Sequence, residues 1–195
     1  MTENAQRILQ QAFGDAVFAC PLPELSQAIT DFIAHRLPPA SHPLGAAARH
    51  HFMVPGKQIR ARMALAASDS FDVPRIAALQ WAAAVEVLHN ASLVHDDICD
   101  GDTVRRGHES VWSRFGRDMA LALGDWLIAL SFELAAEAAH IGRTPLLISI
   151  LSRSMSETTS GRFFDVSILR VTSCAGLRLI FEMILSGLPV VIRPY

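Results

Sequence analysis

The chain has 195 residues, 51% of them hydrophobic, and its 17 Lys and Arg against 19 Asp and Glu give a formal net charge of −2. That is enough apolar material for one sizeable core, and so balanced a charge argues against a nucleic-acid partner. Helical periodicity recurs throughout, with no convincing period-2 strand, internal repeat or low-complexity linker, so the expected class is all-α.

Pro21 to Pro23 lead into a predicted helix through about Leu37, which Pro38 and Pro39 stop. Leu44 to Met63 reads as helical with a break near Pro55. Further helices are predicted over Pro74 to Asp100, over Val111 to Ala139 with a break, and over Pro145 to Phe164. After Asp165 the chain changes character, and Val166 to Tyr195 is mostly apolar. The span Ala175 to Ile192 approaches membrane length, but Arg178, Glu182, Gly187 and Pro189 interrupt it. A packing or partner-binding helix is expected there, and no transmembrane segment.

Cys20, Cys99 and Cys174 have no metal-site spacing, and the N-terminus lacks a basic-then-apolar leader, so the cytoplasm is the expected compartment. His50 and His51 are adjacent, and adjacent helical side chains point in different directions, so they read as a surface pair rather than a zinc site.

The most informative stretch is His95-Asp96-Asp97-Ile98-Cys99-Asp100-Gly101-Asp102-Thr103-Val104-Arg105-Arg106-Gly107. An apolar helical pattern through Ile76, Leu79, Ala83, Val87, Leu88, Leu93 and Val94 runs into it, which puts the aspartates on the last turns of a buried helix. At about 100° per residue, Asp96 and Asp100 lie roughly 40° apart and Asp97 about 60° further round. Three carboxylates crowded on one face and left unpaired would shift toward the neutral form, so their ionised oxygens call for a cation. Mg²⁺ suits them, being a hard ion that takes one or two carboxylates, several waters and substrate phosphate oxygens. The alternative is a solvated helix end whose acidic run pairs with Arg105 and Arg106. His89 sits about 20° from Asp96 on the same helix, and Ser92 one turn below the aspartates, continuing the polar face. Taken alone, His89 also suits the role of a hydrogen-bonded core histidine.

A second constellation is Pro55-Gly56-Lys57-Gln58-Ile59-Arg60, in which Lys57 and Arg60 share a helical face and could hold an anion. It lacks P-loop spacing, and a solvated basic face is the plainer reading of the string by itself. Together with the acidic helix it makes a site in which Mg²⁺ and cationic side chains could grip pyrophosphate.

These segments resemble the trans-isoprenyl diphosphate synthases, or polyprenyl synthetases. Asp96-Asp97-Ile98-Cys99-Asp100 with Arg105-Arg106-Gly107 is similar to the family's DDxxD…RRG motif, Gly56-Lys57 with Arg60 to its GGKxxR segment, and His89-Asn90-Ala91-Ser92-Leu93 to the lead-in. Gly124-Asp125-Trp126-Leu127 resembles the GDxLL helix, and Gly161 with Asp165 the GQxxD motif. The resemblance implies a helical bundle like the N-terminal part of the isoprenoid synthase fold. It also implies that Asp96, Asp97 and Asp100 ligate Mg²⁺ bridging to an allylic diphosphate, which Arg105 contacts. Lys57, Arg60, His89 and Arg106 would hold the diphosphate of isopentenyl diphosphate. Metal and arginine would stabilise departing pyrophosphate, and the isopentenyl double bond would attack the allylic cation. Ala91 and Ser92, at the family's chain-length positions, are both small. They imply a tunnel open to geranylgeranyl or longer products, unless they are simply small residues packing helix on helix.

The chain also departs from the family. Pro55, Gln58 and Ala61 stand where it has glycine, arginine and proline; Glu109 and Trp112 replace proline and histidine; Arg162 replaces glutamine. The family continues to a second DDxxD helix, whereas residues 166–195 hold one acidic residue, Glu182. Residues 1–195 therefore read as a single shortened synthase domain with a divergent tail over 166–195. It is expected to be a geranylgeranyl-type prenyltransferase or an inactive relic and partner subunit, in either case forming a homo-oligomer or pairing with a homologue.

Overall fold

The computed structural model describes residues 22–69 and 73–162; Cys20, Asp165, Cys174 and the apolar tail 166–195 lie outside the described residues. In chain order the elements are α1 (Leu22–Arg36), α2 (Gly45–Phe52), α3 (Ile59–Asp69), α4 (Arg75–Asp100), β1 (Val104–Arg105), β2 (His108–Glu109), α5 (Val111–Phe115), α6 (Arg117–Gly142) and α7 (Leu146–Arg162).

Helix α4 is the axis of the bundle. Every residue from Gln80 to Val87 is buried, as expected of a helix that is apolar on nearly all sides. The short side chains of Ala82, Ala83 and Ala84 let neighbours approach closely all round. α1 and α3 pack against α4, α6 runs along it, and α7 packs in turn on α6. Trp81, Leu65, Leu123, Leu127, Leu134 and Leu151 fill the core.

The breaks have local causes. Pro55 lacks a backbone donor, and α2 and α3 are separated by residues 53–58. Gln58 takes a left-handed φ of 48° there, and its carbonyl accepts the Arg62 N–H at 3.0 Å. Gly116, at φ 90°, divides α5 from α6, which locates the break expected between Val111 and Ala139. At Gly124 a Cβ would run into the His95 imidazole, so glycine there permits the close approach of α6 to α4.

By length and composition α6 could cross a membrane. Its Leu123, Leu127, Leu130, Leu134 and Ala138 are buried within the bundle, so packing accounts for its apolar character. Arg36 on α1 also reaches Glu133 and Glu137 on α6.

The short β1–β2 hairpin corrects the expectation of no strand. Arg105 pairs with His108 and Val104 with Glu109. The connecting residues Arg106 and Gly107 have φ of 53° and 82°, the paired positive values of a two-residue type I′ turn. Strands of two residues are too short to show alternation, so periodicity could not have found them.

Candidate functional site

The acidic half of the site forms where α4 stops. Gly101 caps the helix at φ 73°, and both its N–H and that of Asp102 bond to the Asp97 carbonyl. This 6→1 closure turns the chain sharply, and the following loop folds back over the helix end. Arg105 thereby meets Asp97, donating through Nε at 2.8 Å and also through a terminal guanidinium nitrogen. Asp102 lies 3.5 Å from the same guanidinium.

The three aspartates differ in exposure: Asp97 is buried, Asp96 half-buried and Asp100 exposed. Burial, with the negative charges of Asp102 and Asp100, moves the Asp97 carboxyl above the usual carboxylate range, against the pull of Arg105. Its Oδ2 is buried without a hydrogen-bond partner. Among the described residues, no three His, Cys, Asp or Glu side chains converge as a ready-made metal cage. The donors nonetheless fit Mg²⁺ in kind, since hard carboxylate oxygens are present, one has no partner, and this ion takes much of its shell from water and phosphate.

The basic half lies further back on α4. Arg106 donates to the Val54 carbonyl at 3.0 Å and to Asn90 Oδ1 at 3.3 Å. Gly56 makes room for it: a Cβ there would come within 2.8 Å of the Arg106 guanidinium. Glu86 is buried and accepts from Asn90 Nδ2 at 3.2 Å. Burial raises the Glu86 pKa, opposed by its Asn90 bond and by the charges of Arg60 and Arg106. His89 is driven down to about 3 by burial and then by the fields of Arg60 and Arg106, so it is neutral near pH 7. Lys57 is exposed on the turn before α3.

His51 corrects the expectation of a surface histidine pair. It lies on the face of α2 that also buries Ala47 and Ala48, while His50 is half-buried and bonds the Glu109 carbonyl at 2.8 Å. The His51 ring reaches Asn90 Oδ1 at 3.1 Å, and burial first, then Arg106, lowers its pKa to about 4. Ala91 points into the core at 1% exposure; Ser92 is half-buried and bonds the His89 carbonyl at 2.8 Å.

The structure therefore gathers Arg60 of α3, His89 of α4 and Arg106 of the hairpin turn into one electrostatic neighbourhood, and Asp97 of α4 with Arg105 of β1 into another. Sequence reasoning missed Glu86 and His51 and gave Asn90 no role. Glu86 carried a usable signal: a lone carboxylate within Ala82-Ala83-Ala84-Val85-Glu86-Val87-Leu88, four residues before Asn90.

Residues 41–178 match the profile of the polyprenyl synthetase family. The chain belongs to that family. It is 45% identical over 89 residues to a geranylgeranyl diphosphate synthase of Saccharolobus solfataricus, a match covering 46% of this chain and 27% of the relative. It is 35% identical over 126 residues to heptaprenyl diphosphate synthase component 2 of Geobacillus stearothermophilus, covering 64% of this chain and 38% of that one. A solved geranylgeranyl pyrophosphate synthetase from the archaeon Geoglobus acetivorans superimposes with a TM-score of 0.67 at 32% identity, over 75% of this chain and 49% of the other. The all-α isoprenoid synthase fold expected from the motifs is thus the fold observed. The matched part of the chain spans less than half the length of these relatives.

Proposed function

We propose that the chain takes part in trans-prenyl chain elongation, condensing isopentenyl diphosphate with an allylic diphosphate to give geranylgeranyl or longer products. The observation that carries this reading is the pairing of the acidic end of α4 with a basic neighbourhood built beside the same helix by Arg60 of α3 and Arg106 of the hairpin turn. Asp96, Asp97 and Asp100 would hold Mg²⁺ against the allylic diphosphate, with Arg105 beside it. Lys57, Arg60, Arg106 and neutral His89 would hold the second diphosphate. When bound, Mg²⁺ would supply charge for the departing pyrophosphate; the Arg105 guanidinium adds a fixed cation beside the same developing charge. The half-buried Ser92 would face the growing chain. The reading extends to assembly: the chain would work as a homo-oligomer or with a homologous subunit, in the cytoplasm. Its similarity to a protein named as one component of a synthase supports the pairing.

The test is incubation of purified protein with Mg²⁺, isopentenyl diphosphate and farnesyl diphosphate, followed by extraction and sizing of prenyl products. Products of twenty carbons or more, lost in the Asp96→Ala, Asp97→Ala variant, are expected. Equal yields from the two proteins would sink the reading of a self-sufficient enzyme. Product appearing only on mixing with a homologue would support the partner-subunit alternative.

A further inference from the structure

Arg106 sits at a position where an arginine is conformationally costly. Its φ of 53° places it in the left-handed region, which a side chain bearing a Cβ rarely adopts. A flexible side chain on such a turn would sample many rotamers, yet here the guanidinium is held at both ends. One nitrogen donates to the Val54 carbonyl at 3.0 Å, the other to Asn90 Oδ1 at 3.3 Å.

Asn90 is 1% exposed, and its amide can point only one way. Nδ2 faces two acceptors on the preceding turn, the Glu86 carbonyl at 2.8 Å and Glu86 Oε1 at 3.2 Å. Oδ1 is therefore turned toward donors, Arg106 and the His51 ring nitrogen at 3.1 Å. Arg106 can only donate, and a neutral His51 donates too in the tautomer that carries its proton on Nε2, so a flipped amide would set N–H against N–H. Glu86 and His51 thus fix the amide, and the amide fixes one edge of the guanidinium.

Gly56 borders the same end of the guanidinium. The volume a Cβ would occupy is filled by the Arg106 guanidinium, 2.8 Å from Nη2 and 3.0 Å from Cζ. Thr30, Phe52, Pro55, Gly56, Glu86 and Asn90 line a common cleft with Arg106, so its head is enclosed rather than waving in solvent.

We propose that Asn90 is a positioning residue for Arg106: it holds the guanidinium in the orientation that binds a diphosphate, and Gly56 keeps open the seat into which it is held. The inference rests on the reading of Arg106 as a diphosphate contact. Prealigning one guanidinium removes rotamer entropy that an anion would otherwise have to overcome on binding. Deleting the amide should consequently weaken anion binding through Arg106 and through no other group.

The test is calorimetric titration of the full chain with inorganic pyrophosphate in EDTA, which isolates the basic half from any metal, with folding checked by circular dichroism. Asn90→Ala is expected to bind about tenfold more weakly, equivalent to about 1.4 kcal/mol. In an Arg106→Gln background the same substitution is expected to change affinity less than twofold. Gly56→Ala reaches the same seat from the loop without touching α4, and serves if Asn90→Ala does not fold. It should weaken binding several-fold in the wild type and hardly at all beside Arg106→Gln. Equal losses in the two backgrounds would show Asn90 to be merely structural and overturn the proposal while leaving Arg106 as a contact. If Arg106→Gln itself leaves the affinity unchanged, or if the wild type binds no pyrophosphate, the diphosphate reading of Arg106 fails, and the positioning role with it.

Discussion

Arg105 doubles back across the end of α4 to close on Asp97, whose side chain is 2% exposed while the arginine keeps 28%. A carboxylate so enclosed depends on its cation, and removing one partner of a fully buried pair costs about 3–5 kcal/mol. For Arg105→Ala a smaller loss of about 2–3 kcal/mol is expected, because the guanidinium is partly hydrated. The Asp97 pKa is raised in the folded chain, so the native state keeps its proton to higher pH than the unfolded state does. Stability from this group is therefore greatest below the unfolded value near 3.8 and declines as pH rises through the folded value. Without Arg105 the decline should steepen. Urea unfolding at pH 4 and pH 7 checks this: the deficit of Arg105→Ala should be larger at pH 7, and Asp97→Asn should largely abolish the pH dependence of that deficit.

Buried His51 and half-buried His89 give the opposite slope. His51 is lowered to about 4 and His89 to about 3 from a usual 6.5, so both stay neutral in the fold while the unfolded chain takes up protons below about pH 6.5. Their stabilising effect is complete above that pH and is lost as pH falls toward 4. Each contributes at most about 1.4 kcal/mol per pH unit. Unfolding free energies between pH 6 and pH 4.5 should show His51→Gln with a slope shallower than the wild type by nearly one proton. An unchanged slope would mean that His51 is protonated in the native state.

Gly124 sets a third expectation. Alanine in a helix interior is favoured over glycine by about 1 kcal/mol, but here the added methyl would meet three atoms of the His95 ring. Overpacking of that kind costs about 1–3 kcal/mol, so a net loss of up to about 2 kcal/mol is expected for Gly124→Ala. His95→Ala should make room for the methyl, and the double variant should be more stable than the sum of the two single losses predicts. Chemical denaturation of the four proteins measures that coupling.

Much of this architecture was legible because its signals are local. Pro38, Pro39 and Pro55 lack the N–H that the helical ladder needs, Gly101 and Gly116 take the positive φ that ends or divides a helix, and the helices break at or beside each of them. The aspartate run announced itself by charge against an apolar background. What escaped notice depends on contacts distant in sequence. His51 looked like half of a surface pair because adjacent residues diverge on a helix, but divergence also guarantees that one of them points inward beside Ala47 and Ala48. Nothing in Arg106-Gly107 announces that the arginine adopts the left-handed conformation, since that choice is stabilised by Val54 and Asn90, 52 and 16 residues away. The sharing of one amide among Glu86, His51 and Arg106 belongs to the same class.

The two small residues before the aspartates now part company. Ala91 is 1% exposed and packed in the core, so a ring placed there must displace neighbours; Ser92 is half-buried and donates to the His89 carbonyl of its own helix. If Ser92 faces the prenyl chain, bulk at 92 should act on product length and bulk at 91 on the fold. Ala91→Phe is expected to lose about 1–3 kcal/mol of stability or more, in the range of overpacked cores. Ser92→Phe should unfold at nearly the wild-type denaturant concentration but shift the extracted products toward shorter chains. The comparison needs both variants, because a shortened product from a destabilised Ala91→Phe protein would reflect a disturbed helix rather than a plugged tunnel. Longer or unchanged products from a stable Ser92→Phe protein would remove position 92 from the lining of the cavity.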